Sequence, residues 1–270
     1  MLQEKKSNFQ LPDLKPVAIG SRLKSDNRIL TLGFKPEFND YDDEQKRIIL
    51  NAPKLYYPTA FYAGFFQIMG KEIFPSVHTY SFALDKIRQT AIFNLLGIPH
   101  PHTRVFYGKK QKQTILDHFS FPFIVKKARG SARGDHVYIV KNKSDLEFHQ
   151  GLNEPVYAQE LLTDKKELRI VIIGEKIRIV YWRIPEQGQL KANLSLGGTI
   201  SFDPVPQKAL DLALHTAKSC GWNDVGLDII ISDETYYVIE ANMKYGTKGF
   251  KAAGIDYKKL LADLILNKEI

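Results

Sequence analysis

The stretch VGLDIIISDETYYVIEAN, residues 225–242, decides the reading of this chain. Both halves are apolar, β-branched and aromatic, and the Ser-Asp-Glu-Thr between them reads as a turn, so the spacing predicts a β-hairpin across Ser232–Thr235. Three oxygen-bearing side chains interrupt the pattern: Asp228, Glu240 and Asn242. Glu240 and Asn242 lie two apart on one strand and share a face. Asp228 joins that face if the connecting loop leaves an even offset, or if one bulge corrects the register. Carboxylates set among Ile229, Ile230, Ile231, Val238 and Ile239 are costly to bury unless a cation pairs with them. A hard cation such as magnesium takes oxygen donors and keeps positions for phosphate and water. The competing reading is an ordinary hairpin with a solvated face.

Upstream, FPFIVKK (121–127) and HVYIV (136–140) read as two strands joined by ARGSARGD. Such a loop can fold over phosphates and offer backbone N–H groups, with Gly130 and Gly134 allowing close approach and Ser131 between them. Lys126, on the strand before it, is a point charge for a phosphate oxygen. Taken alone, the loop reads more readily as a surface hairpin with solvated arginines. VYAQE (156–160) reads as a third strand, and residues 167–182 as a hairpin turning near Gly174.

Leu84, Ile87, Ala91 and Leu95 recur at helical spacing, with Asp85 near the start, Gly97 as the C-cap and Pro99 beyond. Pro206–Cys220 reads as an amphipathic helix ending at Gly221, and residues 257–267 as a C-terminal helix. The first 75 residues carry weaker signals: short strands at Pro16–Ile19, Ile48–Leu50, Lys54–Pro58 and Lys71–Phe74, and a helix over Thr59–Met69 closed by Gly70. The apolar LYYPTAFYAGFF (55–66) is expected to fill the core of that small lobe, with a partner surface as the alternative. Strands dominate the middle and helices punctuate them, so the class is α+β or mixed α/β.

The 270 residues carry a formal net charge of +8, which favours anionic partners. The basic residues are dispersed, so nucleic acid is not expected. Cys220 is the one cysteine, which excludes an intrachain disulfide and a thiolate zinc site. No apolar run reaches the length of a membrane span, and the N-terminal stretch lacks the apolar centre of a secretory signal. A cytoplasmic protein with no membrane partner is the expectation. The seven histidines show no metal-ligand spacing.

From about Ser81 onward the sequence resembles the ATP-grasp superfamily, and most closely its RimK-like carboxylate–amine ligases. The motifs occur in the family's order: LDKIRQ (84–89), FIVKKARGSARGDHV (123–137), AQELL (158–162), KELRIVIIG (166–174), YWRIPEQGQLKANLSLGG (181–198), GLDII and IEAN. The resemblance implies an ATP-grasp fold: a short Rossmann-like N-terminal lobe over residues 1–80, a central lobe with a glycine-rich flap over 81–155, and a C-terminal lobe with the metal ligands over 156–270. It implies that ATP is held by Lys86, Lys126, Gly130, Ser131 and Gly134 at the phosphates. Glu160, Leu161 and Leu162 would meet the adenine, Glu167 the ribose, and Lys191 and Asn193 the phosphate and metal region. It implies one or two Mg2+ (or Mn2+) ions on Asp228, Glu240 and Asn242, with Arg183 and Lys126 as catalytic cations. Arg169 reads two ways, as a substrate contact or as the partner of an acid such as Glu167.

The implied reaction joins an acidic small molecule or peptide to an amine, such as glutamate or another amino acid, through an acyl phosphate. An ATP-grasp phosphotransferase and an ATP-binding regulatory protein without turnover remain as alternatives. Relatives often assemble as dimers or tetramers, so a homo-oligomer is implied by the resemblance alone. The sequence departs from the family pattern at Asp135 in the flap and at Ser195-Leu196, where substrate is expected.

Overall fold

The computed structural model describes residues 15–130, 137–151, 154–162, 166–185 and 198–270. They fall into two compact units, one formed by the chain up to Phe74 together with Asp256–Ile270, the other by Pro75–Ile255. No described helix is long and apolar enough to cross a membrane.

The first unit holds a parallel sheet of short strands: β1 (Val17–Ala18), β2 (Leu30–Thr31), β3 (Lys54–Tyr56) and β4 (Glu72–Phe74), in the order β2-β1-β3-β4. Parallel strands need crossovers, and helices α1 (Asp43–Asn51) and α2 (Thr59–Ile68) lie in two of them. Val17, Ile49, Leu55, Tyr62 and Phe66 pack together as its core. The C-terminal helix, Tyr257–Leu266, buries Leu261, Ala262, Leu264 and Ile265, and Asp263 accepts from Arg28 at 2.8 Å. The expected strands near residues 17, 54 and 72 form, and Gly70 follows α2 with φ +70°.

The expected strand at Ile48–Leu50 does not form: these residues lie in α1. The cause is a capping box. Asp42 accepts from the Gln45 backbone, and Gln45 reaches back to the Asp42 backbone. Of the three apolar residues only Ile49 is fully buried, as one face of a helix requires. The aromatic segment divides in the same way. Tyr62, Ala63 and Phe66 are buried, whereas Phe61 and Phe65 are about half exposed, at 50% and 53%. The expectation that the whole segment is core therefore holds for one face of α2.

The second unit contains helices α3 (Val77–Ser81), α4 (Lys86–Leu96), α5 (Gly108–Lys112) and α6 (Lys143–Gly151), and a four-stranded antiparallel sheet of β5 (Thr103–Phe106), β6 (Phe123–Lys126), β7 (Val137–Val140) and β8 (Val156–Glu160), ordered β5-β8-β6-β7. One face of this sheet is apolar: Phe106, Phe123, Val125, Val156 and Ala158 pack with Ile115, Phe119, Val140 and Leu146. The alternate residues Thr103, Lys126, Tyr157 and Gln159 point to the opposite face. α4 begins at an N-cap, Asp85, which accepts from the Arg88 N–H, and ends at Gly97 with φ +64°, as its sequence punctuation predicts.

A five-stranded antiparallel sheet follows, ordered β11-β10-β9-β12-β13: β9 (Glu167–Ile173), β10 (Lys176–Ile184), β11 (Thr199–Ser201), β12 (Asp224–Ser232) and β13 (Thr235–Asn242). Leu168, Ile170, Ile172, Leu227, Ile229 and Val238 face a core shared with Phe93, Trp222 and helix α7 (Gln207–Ser219). Helix α8 (Lys248–Ala252) lies close to β10, where the Tyr181 ring covers Gly249. A Cβ at Gly249 would stand 2.1 Å from that ring. Gly249→Ala should therefore cost about 1–3 kcal/mol through overpacking, read as a lowered denaturation midpoint.

The register of β12 and β13 decides which side chains leave the core. Asp228 pairs with Glu240 and Ile229 with Val238, so Ile239 is an extra residue at a bulge. Val238 and Glu240 are two apart and would share a face in a regular strand. The bulge keeps Val238 in the core and turns Glu240 and Asn242 to the opposite side, beside Asp228. This is the second of the two ways in which Asp228 could join them.

Candidate active site

Strand register sets the site. Tyr181, Arg169, Asp228 and Glu240 are successive partners across β10, β9, β12 and β13, and Arg183 pairs with Glu167 one step away. Residues opposed in an antiparallel ladder share a face, so these side chains converge. Arg169 Nε donates to Asp228 Oδ1 at 2.5 Å and its terminal nitrogen to Oδ2 at 3.0 Å. Arg183 bridges Glu167 Oε1 at 2.6 Å and Asp228 Oδ2 at 2.7 Å. Asn242 Nδ2 donates to Asp228 Oδ2 at 2.9 Å. Arg169 is thus the partner of Asp228, while Glu167 belongs to Arg183. Gly226 makes the clamp fit: a Cβ there would approach the Arg169 side chain at 3.2 Å and Tyr245 Cβ at 3.0 Å.

Helix α4 brings the lysines in. Leu84–Lys86 runs beside Ala128–Gly130, with Lys86 N–H donating to Ala128 O and Gly130 N–H to Leu84 O, both at 3.0 Å. Arg129 and Asp85 reinforce this pairing at 3.1 Å. Gln89 locks the helix onto β13, donating to Ala241 O at 2.8 Å and accepting from Ala241 N–H at 3.0 Å. Lys86 Nζ then reaches Glu240 Oε1 at 2.8 Å. Lys126 Nζ donates to Gln159 Oε1 at 2.5 Å. Both lysine side chains are buried, at 8% exposure.

Burial and charge act against each other here. Burial alone would raise the Asp228 carboxyl, but the Arg169 and Arg183 guanidinium groups reverse this and hold it below its ordinary range. Burial pushes Glu167 up, with Arg183 opposing only part of the effect. Burial lowers Lys126 to about 8, partly opposed by Glu240. The ammonium is the form that attracts phosphate, so if Lys126 meets nucleotide phosphate, as the sequence resemblance implies, affinity should fall as pH rises through about 8. A Lys126→Met variant should lose that limb of the profile in calorimetric titrations with ADP.

At the other end of the central sheet, Phe121, Pro122, Ile139, Lys141 and Leu161 line an open pocket of about 370 Å³. Its volume lies at the lower end of the range of small-ligand pockets. Of these residues the sequence reading named only Leu161; the flanking aromatic and aliphatic residues carry no chemical signal of their own. Glu160 is anchored beside it. Its N–H donates to His102 O at 2.9 Å and its carboxylate accepts from His102 N–H at 2.7 Å.

The structure therefore joins Glu167, Arg183, Asp228 and Asn242 in one network and sets the Lys86–Glu240 pair beside it, with Glu240 opposite Asp228 in register. Lys126 faces the same charges, and Glu160 ends its neighbouring strand β8, with Leu161 and Leu162 directly after it. Ser131, Gly134, Lys191 and Asn193 lie outside the described residues, while Gly130 is placed with φ +67°. Gln159, which the sequence reading passed over, holds Lys126. Among the described residues no group of three or more His, Cys, Asp and Glu gathers as a metal site. The oxygen-bearing set is Asp228, Glu240 and the amide Asn242, which is the hard-donor chemistry that suits magnesium.

Two antiparallel sheets, one carrying a lysine strand and the other an acidic hairpin, define an ATP-grasp protein. The fold matches that of the ATP-grasp ligase PsnB in complex with a phosphomimetic variant of its minimal precursor, Mg and ADP. The TM-score is 0.70 at 16% identity, covering 96% of this chain and 99% of that one. Residues 83–265 match the RimK-like ATP-grasp domain, and the chain belongs to that family. Relatives include beta-citrylglutamate synthase B of Danio rerio, 28% identical over 181 residues, which are 63% of this chain and 44% of that protein. The ribosomal protein bS6–L-glutamate ligase of Escherichia fergusonii is 25% identical over 182 residues, 64% of this chain and 60% of that protein. The chain thus spans about half the length of the curated relatives it matches.

Proposed function

We propose that this chain is a Mg-ATP-dependent carboxylate–amine ligase working through an acyl phosphate. The observation that carries the reading is the convergence of Lys86, Lys126, Arg169 and Arg183 with Glu167, Asp228 and Glu240 on facing surfaces of one unit. In the proposed arrangement the nucleotide base enters the pocket beside Leu161, and Glu160 and Leu162 meet it through their backbone. Glu167 is the ribose contact, and Lys126 and Lys86 meet the phosphates, as do Gly130, Ser131 and Gly134 of the flap. Asp228, Glu240 and Asn242 would hold one or two magnesium ions, whose charge would offset the repulsion between the phosphates and the substrate carboxylate. Arg183, with Lys191 and Asn193, completes the phosphate end.

The chain's own part is positioning and charge. An acyl phosphate forms when a carboxylate oxygen attacks the terminal phosphoryl group and ADP leaves. An amine then attacks the acyl carbon and inorganic phosphate departs. Fixed cations lower the barrier where negative charge gathers, because their positions are set before reaction. None of these steps needs a covalent enzyme nucleophile, and Cys220 is unsuited to one: burial pushes its thiol up to about 12. The substrates are an acid and an amine, with glutamate as the amino acid to try first because relatives are named for it.

The test is ATP consumption with magnesium against pooled carboxylates and amines, reading free phosphate and product mass. A new amide with one phosphate released per bond supports the ligase. A phosphorylated alcohol would replace it with a phosphotransferase.

A further inference from the structure

Lys126 differs from the other cations of the site in its partner. Lys86, Arg169 and Arg183 are each paired with a carboxylate. Lys126 donates to the neutral amide oxygen of Gln159. The amide is itself fixed. Gln159 is 3% exposed, and its Nε2 donates to Thr103 Oγ1 at 2.8 Å, while the Thr103 hydroxyl donates to Pro101 O at 2.7 Å. The Thr103 hydroxyl gives its proton to Pro101, so it must accept from the amide nitrogen. That in turn aims the amide oxygen at Lys126. Register places the three groups: Thr103 is the direct partner of Gln159 across β5 and β8, and Lys126 lies diagonally opposite on β6.

An ammonium paired with a carboxylate has much of its field cancelled. One held by a neutral acceptor is oriented but keeps its full charge for an incoming anion. We propose that Thr103 and Gln159 form a positioning relay that holds the Lys126 ammonium for nucleotide phosphate without neutralising it. This rests on the reading of Lys126 as a phosphate contact. The residue type at position 159 then sets how strongly the site favours nucleotides with more phosphates.

The experiment measures binding of adenosine, ADP and a non-hydrolysable ATP analogue by calorimetry, with magnesium, to the full chain. Gln159→Leu should weaken the ATP analogue about ten- to hundredfold, the range for a lost hydrogen bond to a charged group. Adenosine should bind as to the unaltered protein. Gln159→Glu keeps an acceptor but adds a competing charge, so it should also weaken the nucleotides, the triphosphate most. Thr103→Val should give a smaller loss of the same pattern, and Thr103→Ser should restore binding. In a Lys126→Met background neither substitution at Gln159 should have further effect.

Equal weakening of adenosine would overturn the relay, because Gln159 would then act on the base or on the fold. Undiminished triphosphate binding in both Gln159→Leu and Thr103→Val would overturn it too. If Lys126→Met alone leaves triphosphate binding unchanged, the phosphate role of Lys126 falls first and the relay with it. If Gln159→Leu does not fold, the Thr103 pair decides the question.

Discussion

Glu240→Ala should lower ATP-dependent turnover by about two to three orders of magnitude while the protein stays folded, the range seen when one preorganised electrostatic group is removed from a reaction centre. Three features separate the two effects. The Glu240 side chain is 23% exposed, so its loss leaves no large cavity. Its charged partner among the described residues, Lys86, gains freedom to move toward phosphate, so nucleotide binding without metal should change little. The bulge at Ile239 stays, because it is set by the backbone register and by Gln89 on Ala241. The measurement is steady-state phosphate release across a magnesium titration, with circular dichroism as the folding check. Turnover equal to that of the unaltered protein would remove Glu240 from the reaction.

Asp228→Ala should act on stability as well as on turnover. Asp228 is 4% exposed and receives both contacts of Arg169, one of Arg183 and one of Asn242. Removing it strands the buried Arg169 guanidinium and leaves Arg183 with Glu167 alone, and breaking a buried ion pair from one side costs about 3–5 kcal/mol. Replacing both members, as in Asp228→Leu with Arg169→Met, should recover a good part of that loss, because the Arg169 charge is then gone and Arg183 keeps Glu167. The signature in denaturant is a lowered midpoint for the single variant and a higher one for the double. The same clamp sets a pH dependence. The folded Asp228 is held below its ordinary range, so its contribution is present above the unfolded carboxylate pKa and is lost as pH falls through the lower folded value.

The second unit was largely legible because its elements are long and punctuated. Gly97 after α4, Gly174 in the turn between β9 and β10, and Gly221 after α7 all take positive φ where the sequence placed an end or a turn. The first unit was less legible because its strands are two or three residues long, too short for periodicity to act. Ile48–Leu50 reads as a strand only while the capping box at Asp42 goes unnoticed.

The acidic triad was readable from composition, but its geometry was not. Nothing in the linear sequence shows that Ile239 is the bulged residue. Arg169 could be assigned to Asp228 only through the register of β9 and β12, since Glu167 is nearer in sequence. Gln159 was hidden for a different reason. An amide inside a run of strand residues signals nothing until Lys126 and Thr103 are brought to either side of it.

The most direct test of the account is calorimetric binding of a non-hydrolysable ATP analogue with and without magnesium, in the unaltered protein and in Glu240→Ala. Magnesium should tighten binding in the unaltered protein, and Glu240→Ala should remove most of that gain. Binding that is indifferent to magnesium, or a gain that survives the loss of Glu240, would contradict the account.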